Sequence, residues 1–362
     1  MKTERLVVDP AGINSKHAQA SIARAAEILR SGGLVALPTE TVYGLGANAL
    51  DAAAVARIFA AKQRPAWDPI IVHIAGHLHQ NPMLEQLATE CPPVAHVLMH
   101  AFWPGPLTLL LPRSAAVPDI VTAGRPLVGI RMPAHPVALE VIRQAGVPVA
   151  APSANVFGHI SPTTAAHVLE DLDGKIDAVV DAGPTHHGVE STVLDPTKSP
   201  MILYRPGAIT AEQIREVAGP VELFKEGMLS LDNPREALPS PGLGLRHYAP
   251  RALLILVEGT LAELPARLAT AAHAHAGNRL GLMLPTELAN AALQPLLRDA
   301  AAFAWGRWNV PEELAERLYA GLRALDAEGC AVIFCPVPEA RGVGAAIRDR
   351  LRKAAFSADT LV

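Results

Sequence analysis

Cysteine is scarce in this chain of 362 residues, which contains only Cys91, Cys330 and Cys335. An odd number of cysteines without a pairing pattern argues against a disulfide framework and favours reduced thiols inside a cell. Cys330 and Cys335 stand an odd number of positions apart in one apolar run. Because successive strand residues face opposite sides, we predict two buried thiols that share neither a disulfide nor a metal ion.

The chain also lacks long apolar runs and an excess of positive charge. Its charged N-terminus precedes no apolar signal segment, and no apolar run approaches the length of a membrane span. The formal net charge is -4 and no aromatic residues are interleaved with a basic run, which argues against a generally basic surface for nucleic acid. These absences predict a soluble, cytoplasmic protein that contacts no membrane.

Familiar metal and catalytic motifs are missing as well. There is no CxxC or HExxH spacing, and the adjacent His186 and His187 would point apart in an extended segment, so we predict no structural metal site. The pair Gly44-Leu45-Gly46 lacks the third glycine of a dinucleotide fingerprint and the Lys-Ser/Thr of a P-loop. No Ser-His-Asp set and no paired acids stand out, so any catalysis must rest on other groups.

The composition and length of the chain predict a folded protein with two domains. Half of the residues are hydrophobic and 18% are charged, and the length exceeds that of one ordinary core. Mixed helix and strand patterns over residues 1–218 predict an α/β domain with a mixed sheet. A stretch rich in proline and glycine at 219–250 is typical of an interdomain linker. Alternating strands and helices over 251–362 predict a smaller, doubly wound α/β domain.

Polar residues follow two buried strands of the first domain. Residues 34–37 lead into Thr39-Glu40-Thr41 and then the glycine pair, which we expect to form a loop. Residues 147–151 lead into Ser153-Ala154-Asn155. Turn chemistry could explain either segment alone, but repeated polar strand ends favour a small-molecule site. For Glu40, a catalytic acid, a cap and a surface charge all remain open.

Four cations occur near the predicted strand ends. Lys62 and Arg64 close a helix, where a favourable interaction with the helix dipole is the simpler explanation, although Arg64 also suits bidentate capture of phosphate. Arg131 ends a buried strand and needs an anion, supplied by Asp or Glu or by a ligand carboxylate. Arg205 ends a further strand. Cations beside hydroxyl groups predict a phosphate and carboxylate site that acts by positioning and charge neutralisation.

Several segments occur in an order that resembles a known family. They are residues 38–46, 62–65, 69–74, 103–108, 152–155, 190–193 and 205–207. Together they resemble the YrdC-like threonylcarbamoyl-AMP synthases. In the linker, Ser240-Pro241-Gly242 and His247-Tyr248-Ala249-Pro250 resemble the long form of this family, which carries an extra C-terminal domain.

The resemblance implies a fold and a reaction. The fold would be a YrdC-like open, twisted mixed sheet with a concave ligand cavity, plus a smaller Rossmann-like α/β C-terminal domain. The reaction would be a nucleotidyl transfer in which L-threonine, bicarbonate and ATP give L-threonylcarbamoyl-adenylate, pyrophosphate and water; with CO2 in place of bicarbonate, no water would form. Mg²⁺ would enter with ATP. A separate threonylcarbamoyl transferase downstream would use the product to form N6-threonylcarbamoyladenosine in tRNA.

Carried over residue by residue, the resemblance also implies two sets of contacts. L-Threonine would be bound by Thr41, His73, Arg131, Ala151 and Ser191. The nucleotide would be bound by Lys62, Arg64, Asp68, Leu127, Ser153, Asn155, Ser161 and Arg205, and His247 and Tyr248 of the linker would close over ATP. His73, which an apolar strand alone would mark as a core residue, thereby becomes an expected ligand contact.

Two alternatives stay open on the sequence. The chain could be an RNA-binding module with a basic concave face and only incidental ATP turnover, and a weak contact with tRNA is possible in either case. It could also be a hydrolase or a carbamoyl-transfer enzyme on the same fold. The products would separate these alternatives, because a hydrolase would give threonine and AMP without an adenylate intermediate.

Overall fold

A computed structural model describes residues 2–224, 240, 247–288 and 300–356. These residues belong to two compact units. The first unit contains residues 2–157, 161–186, 190–224 and 240, and the second contains 158–160, 187–189, 247–288 and 300–356. In the described part of the chain, no helix combines the length and the apolarity needed to cross a bilayer.

The first unit mixes strands and helices along the chain. Its strands are β1 (Glu4–Val7), β2 (Val35–Pro38), β3 (Tyr43–Asn48), β4 (Ile71–His73), β5 (Leu107–Pro112), β6 (Leu127–Arg131), β7 (Val149–Ala150), β8 (Ala178–Asp181), β9 (Thr192–Asp195), β10 (Met201–Arg205) and β11 (Val221–Leu223). Its helices are α1 (Lys16–Arg30), α2 (Ala52–Lys62), α3 (Pro82–Leu87), α4 (Pro93–Phe102), α5 (Asp119–Thr122), α6 (Pro136–Ala145), α7 (Ala165–Leu172) and α8 (Ala211–Ala218).

The eleven strands form one sheet in the order β1-β8-β2-β3-β7-β4-β6-β5-β9-β10-β11. Parallel pairs such as β4 with β6 alternate with antiparallel pairs such as β5 with β6. Strands that are far apart in sequence become neighbours in this order, so the sheet gathers residues from most of the unit. The prediction of a mixed α/β sheet is confirmed.

Both faces of the first strands are covered by helices, as the alternation of side chains requires. On β2, Val35 packs into a core shared with α1 and α6, whereas Ala36 faces the larger core beneath α2 and α4. Helix α1 begins at Ser15, whose hydroxyl oxygen accepts a hydrogen bond from the Ala18 backbone N–H at 3.2 Å. Its apolar stripe, which includes Ile22, is completely buried.

The two faces of the central strands carry different kinds of residues. On β6, Val128 and Ile130 lie in the large core, so Leu127, Gly129 and Arg131 share the opposite face. That face carries only a small apolar cluster, in which Leu127 packs beside Ile71, Leu110 and Val193. A strand face that ends in a buried arginine is unsuited to a purely apolar core, and it forms the base of the candidate site.

The glycine pair was expected to form a loop, and this prediction is wrong. Residues Tyr43–Asn48 form strand β3, which pairs with β2 in an antiparallel hairpin. A Cβ atom on Gly46 would lie 2.9 Å from Val149 Cγ1, and one on Gly44 would lie 3.2 Å from Ala151 Cβ. The glycines therefore let strand β7 approach the hairpin closely, which is a packing role that local sequence does not reveal.

Other differences concern element boundaries. Between β4 and β5 the chain forms two helices, and a proline starts each of them, at Pro82 and Pro93. Strand β11 lies within the expected linker and pairs in parallel with β10, so the first unit extends past residue 218. Except for residues 219–224, Ser240 and 247–250, the expected linker lies outside the described residues.

The second unit is built on a smaller sheet. Its strands are β12 (Leu253–Val257), β13 (Leu280–Pro285), β14 (Ala300–Gly306) and β15 (Val332–Pro336), and its described helices are α9 (Leu264–His273), α10 (Pro311–Ala327) and α11 (Val343–Ala355). The strands follow the order β12-β15-β13-β14, and every pair is parallel. Cys330 and Cys335 are buried, as predicted. The Rossmann-like α/β prediction is confirmed.

Candidate active site

Neighbouring strands of the first unit bring a row of polar side chains to one edge of the sheet. His73 pairs with Arg131 across β4 and β6, and Leu109 pairs with Ile130, so Thr108 lies beside Arg131. Leu107 pairs with Thr192 at the start of β9. From β7 to β10, the row contains His73, Arg131, Thr108, Ser191 and Arg205, and the small apolar Ala151 lies at its β7 end. Five of these six residues were predicted from the sequence.

A bulge brings Arg205 to this row. The register between β9 and β10 shifts between Leu203 and Arg205, so Arg205 lies opposite Val193. Val193 belongs to the same small apolar cluster as Leu127, on the face of the sheet that carries Arg131, and directly opposed residues share a face. Leu203 lies in the large core, so in a regular strand without the bulge Arg205, two residues later, would face that core as well.

Arg131 contacts protein groups at all three of its guanidinium nitrogens. Its Nε donates to the Gly105 carbonyl at 3.1 Å, and its Nη1 donates to Thr41 Oγ1 at 3.0 Å. Its Nη2 lies 2.6 Å from Glu40 Oε1. Both side chains of this ion pair are less than a tenth exposed, so each is the compensating charge that the other needs in a buried setting.

Two histidines lie near this ion pair and are neutral. Burial, followed by the positive charge of Arg131, lowers the pKa of His73 to about 3. Burial lowers the pKa of His135 to about 4, against an opposing effect of Glu40. Among the described residues, neither Nδ1 atom has a hydrogen-bond partner. A neutral imidazole has one nitrogen that donates and one that accepts, so it can hydrogen-bond to a ligand without adding charge.

Ser191 connects two neighbouring parts of the row. Its hydroxyl lies 2.8 Å from Thr108 Oγ1 and accepts a hydrogen bond from Arg205 Nη2 at 3.1 Å, while Arg205 Nε donates to the Ser191 carbonyl at 3.0 Å. Ser161 Oγ donates to Glu190 Oε1 at 2.6 Å. Arg205 is therefore held close to the Glu190-Ser191 segment by its own hydrogen bonds.

Lys62 lies at the end of α2 beside the Ser-Ala-Asn turn. Its Nζ donates to the carbonyl oxygens of Ser153 at 2.5 Å and of Asn155 at 2.6 Å. Burial, followed by the charge of Arg64, lowers the pKa of Lys62 well below its usual value. The structure thus brings together Lys62, Ser153 and Asn155, as predicted, and it shows carbonyl groups holding the ammonium.

Arg64 was expected to capture phosphate, and the structure gives it protein partners. Its Nη2 lies 2.9 Å from Asp68 Oδ2 and donates to the Pro69 carbonyl at 2.7 Å, and its Nε donates to the Asp68 carbonyl at 3.1 Å. The guanidinium also lies 5.9 Å from the centre of the Phe157 ring. Asp68, which was expected to contact nucleotide, is the counter-ion of Arg64.

Three expected contacts lie in other surroundings. Leu127 lies on the same face of β6 as Arg131 but at the opposite end of the strand, in the apolar cluster. His247 and Tyr248 belong to the second unit, where the Tyr248 ring stacks on Tyr319 at 5.7 Å and lies 5.3 Å from the Arg350 guanidinium carbon. Contacts inside that unit thus bury the ring, and closure over ATP stays a prediction.

The sequence reasoning missed three members of the site. Thr108, Glu190 and His135 were not proposed as contacts, although Thr108 and Glu190 stand inside segments that carried the family resemblance. The signal for Thr108 was a hydroxyl in the middle of an apolar strand, because such a group is rarely buried without a purpose. His135 follows β6 by a short turn, and no local pattern distinguishes it from an ordinary helix N-cap.

The fold and the site together define a class of protein. A mixed sheet presents cations and hydroxyl groups at strand ends, and a parallel α/β unit follows it. This arrangement is typical of proteins that bind small anionic ligands such as carboxylates and phosphates.

Comparisons with known proteins narrow this class. A family model for Sua5, YciO and YrdC, described as "Telomere recombination", matches residues 27–207, and a model for the threonylcarbamoyl-AMP synthase C-terminal domain matches residues 209–356. The curated threonylcarbamoyl-AMP synthase of Pyrococcus abyssi is 44% identical over 91% of this chain and 92% of its own length. That of Bacillus subtilis is 44% identical over 98% of each chain.

A solved structure agrees with these matches. The crystal structure of P. abyssi Sua5 complexed with L-threonine has a TM-score of 0.86 to this chain, with 42% identity over 98% of both chains. The chain belongs to the threonylcarbamoyl-AMP synthase family, in the form with a C-terminal domain.

Proposed function

We propose that this chain is a nucleotidyltransferase that condenses L-threonine, bicarbonate or CO2, and ATP into L-threonylcarbamoyl-adenylate. Family membership supports this activity over the RNA-binding alternative. The observation that carries the proposal is the row of residues at the strand ends, where a carboxylate-binding group, Arg131, lies near hydroxyl groups and a second arginine, Arg205. The relative complexed with L-threonine supports threonine as one substrate.

Threonine would bind at the Arg131 end of the row. The guanidinium suits the α-carboxylate, because Nη1 uses one N–H for Thr41 and Nη2, which lies in the ion pair with Glu40, has no hydrogen-bond partner among the described residues. The neutral His73 is placed beside it by the pairing of β4 with β6. The threonine amine would form a new N–C bond to the carbon of CO2, losing a proton and giving a carbamate.

The nucleotide would bind toward Lys62, Ser153 and Arg205. An oxygen of the carbamate would attack the α-phosphorus of ATP, and the bond to the bridging oxygen would break as pyrophosphate leaves. Cations close to the leaving group would lower the free energy of the charged transition state. Arg64 would stabilise the loop that precedes β4 through Asp68, in addition to any contact with phosphate.

Mg²⁺ would act together with ATP. No group of three or more histidine, cysteine, aspartate or glutamate side chains in the described ranges could hold a metal ion. The ion would therefore be bound mainly by phosphate oxygens and water, as is common for Mg²⁺ with nucleotides.

Pyrophosphate release tests the proposal directly. Release should require L-threonine, bicarbonate and ATP together, and mass spectrometry should detect threonylcarbamoyl-adenylate. Arg205→Ala should reduce the rate by at least about tenfold, since a buried charged group that faces the transition state is lost. Pyrophosphate release at the same rate when threonine is omitted would contradict the proposal, and free threonine plus AMP without an adenylate would favour a hydrolase.

The proposed reaction also indicates which enzyme uses its product and in which compartment it takes place. The labile adenylate would pass to a threonylcarbamoyl transferase that modifies tRNA, and the cytoplasm supplies ATP, bicarbonate and tRNA. A tRNA fragment added to the pyrophosphate assay would show whether RNA contacts this chain directly.

A further inference from the structure

Glu40 lies in the turn of the β2–β3 hairpin, yet it is only 6% exposed. Its Oε1 atom is 2.6 Å from Arg131 Nη2, and the next residue, Thr41, accepts a hydrogen bond from Nη1 of the same guanidinium. The Gly105 carbonyl accepts from Nε. Three groups from two loops therefore surround the edges of one planar cation.

Turn capping does not explain Glu40. Thr39 performs that role, because its Oγ1 accepts hydrogen bonds from the backbone N–H groups of Thr41 at 3.2 Å and Val42 at 3.3 Å and also donates to the Val42 carbonyl. Within the described chain, neither carboxylate oxygen of Glu40 accepts a hydrogen bond of normal geometry. Burial at this depth also excludes a simple surface charge.

Proton abstraction is also a poor explanation for Glu40. Burial would raise the pKa of this carboxyl, but the charge of Arg131 and the nearby backbone amides of Glu40 and Ala134 outweigh burial and lower it. The groups facing it from neighbouring elements are Arg131, His73 and His135, and both histidines are neutral. A carboxylate held in its charged form by these surroundings is a weak base.

We propose, on the basis of the proposed function, that Glu40 is a positioning residue for threonine recognition, which holds the Arg131 guanidinium in the orientation that receives the substrate carboxylate. Thr41 Oγ1 accepts one N–H of Nη1, and Glu40 holds Nη2 by the ion pair. Among the described residues, Nη2 has no hydrogen-bond partner, so both terminal nitrogens keep at least one N–H for a ligand. A carboxylate is the group that accepts from both terminal nitrogens of an arginine at once.

Two substitutions at Glu40 test this role at different strengths. Glu40→Gln keeps the shape but removes the charge, and it should raise the Kd and KM for L-threonine by about threefold to tenfold. Glu40→Leu removes every contact with Arg131 and should raise them by about tenfold to a hundredfold. In both variants kcat should stay within about twofold, and the KM for ATP and the shape of the pH profile should not change.

Asp177→Asn is the matched control. Asp177 also pairs with an arginine, with Oδ2 at 2.8 Å from Arg57 Nη2, and it accepts a hydrogen bond from the Leu34 backbone N–H at 2.7 Å. It lies outside the row of site residues, so its variant should bind threonine with the affinity of the parent. Circular dichroism and thermal unfolding of all variants would show whether Glu40→Leu folds. If it does not fold, the Kd of Glu40→Gln for L-threonine still tests the positioning role.

Calorimetric titration with L-threonine separates this proposal from the proposed function. Threonine binding without threonine-dependent pyrophosphate release would contradict the function and still measure the effect of Glu40. An unchanged or lower Kd in Glu40→Gln would overturn the positioning role, since it would mean that the carboxylate is irrelevant or competes with the substrate. A loss of kcat and of the acidic limb of the pH profile at unchanged KM would also overturn it, in favour of a general base.

Discussion

Lys62 and Arg131 are both buried cations of the first unit, but they are stabilised in different ways. Arg131 has an ion-pair partner in Glu40 and hydrogen bonds to Thr41 and Gly105. Lys62 donates to two backbone carbonyls and has no carboxylate within ion-pair distance among the described residues. The first arrangement keeps a fixed charge, whereas the second leaves the charge of the lysine dependent on an incoming anion.

The difference suggests two tasks for one site. A permanently charged, oriented guanidinium suits a substrate group that is always anionic, such as a carboxylate. An ammonium whose pKa is lowered suits a group that arrives with several negative charges, such as a triphosphate. Substitutions and pH changes at either cation test whether the two differ in this way.

Removing Arg131 should have the largest effect on stability. Arg131→Met leaves the Glu40 carboxylate buried without its counter-ion, and the free energy of unfolding should fall by about 3–5 kcal/mol. The double variant Glu40→Leu with Arg131→Met should recover most of that loss, because an apolar pair replaces an ion pair at little net cost. Urea denaturation of both variants measures this. A double variant no more stable than the single one would show that the ion pair is not the cause.

Acid should destabilise the fold through the two buried histidines near Arg131. The pKa of His73 is lowered to about 3 and that of His135 to about 4, whereas an unfolded histidine titrates near pH 6.5. The unfolded state therefore binds more protons between these values, and the free energy of unfolding should fall as the pH is lowered from 6.5. The loss should be on the order of 2 kcal/mol per histidine by pH 4.5.

Denaturation curves recorded between pH 7 and pH 4.5 check this dependence. His73→Gln should flatten the decline, and replacing the exposed His17 by glutamine should leave it unchanged. An equally steep decline in His73→Gln would mean that carboxylates elsewhere cause the acid sensitivity.

The smallest effect concerns the protonation of Lys62. Burial and Arg64 lower its pKa in the protein alone, and a bound phosphate would raise it again. ATP binding should therefore take up at most about one proton, and the affinity should fall as the pH rises between the two pKa values. Calorimetry in buffers of different ionisation enthalpy measures this uptake. It should disappear in Lys62→Arg, because arginine stays charged, and persistence of the uptake there would assign it to another group.

Much of the site could be read from residues at the ends of buried strands. Thr41, His73, Arg131, Ser153, Asn155, Ser191 and Arg205 were all placed at polar strand ends or drawn from the family segments. Sequence order could not show that β9 and β5 are neighbours, and thus that Ser191 reaches Thr108. Nor could it show the bulge that places Arg205 on the same face of the sheet as Arg131.

Local sequence did not show the surroundings of Arg64 or of the glycine pair. Arg64 was expected to capture phosphate because it is held near the mouth of a strand; this stays a prediction, and the structure adds that Asp68 and the Pro69 carbonyl engage its guanidinium. The glycine pair was expected to form a loop, but it lies in a strand, where the absence of side chains lets Ala151 pack closely against it. The contact with Ala151 comes from a segment far along the chain, so no local pattern reveals it.

By itself, the sequence determined the two-part α/β organisation, the buried strands and the set of cations and hydroxyl groups that the site uses. These features depend on hydrophobic periodicity and residue chemistry, which are local properties of the chain. The tertiary structure alone decided the role of Glu40. Whether a carboxylate in a turn is a cap, a surface charge or the partner of Arg131 depends on which strand lies beside the turn, and a mixed sheet settles that by pairing segments far apart in sequence.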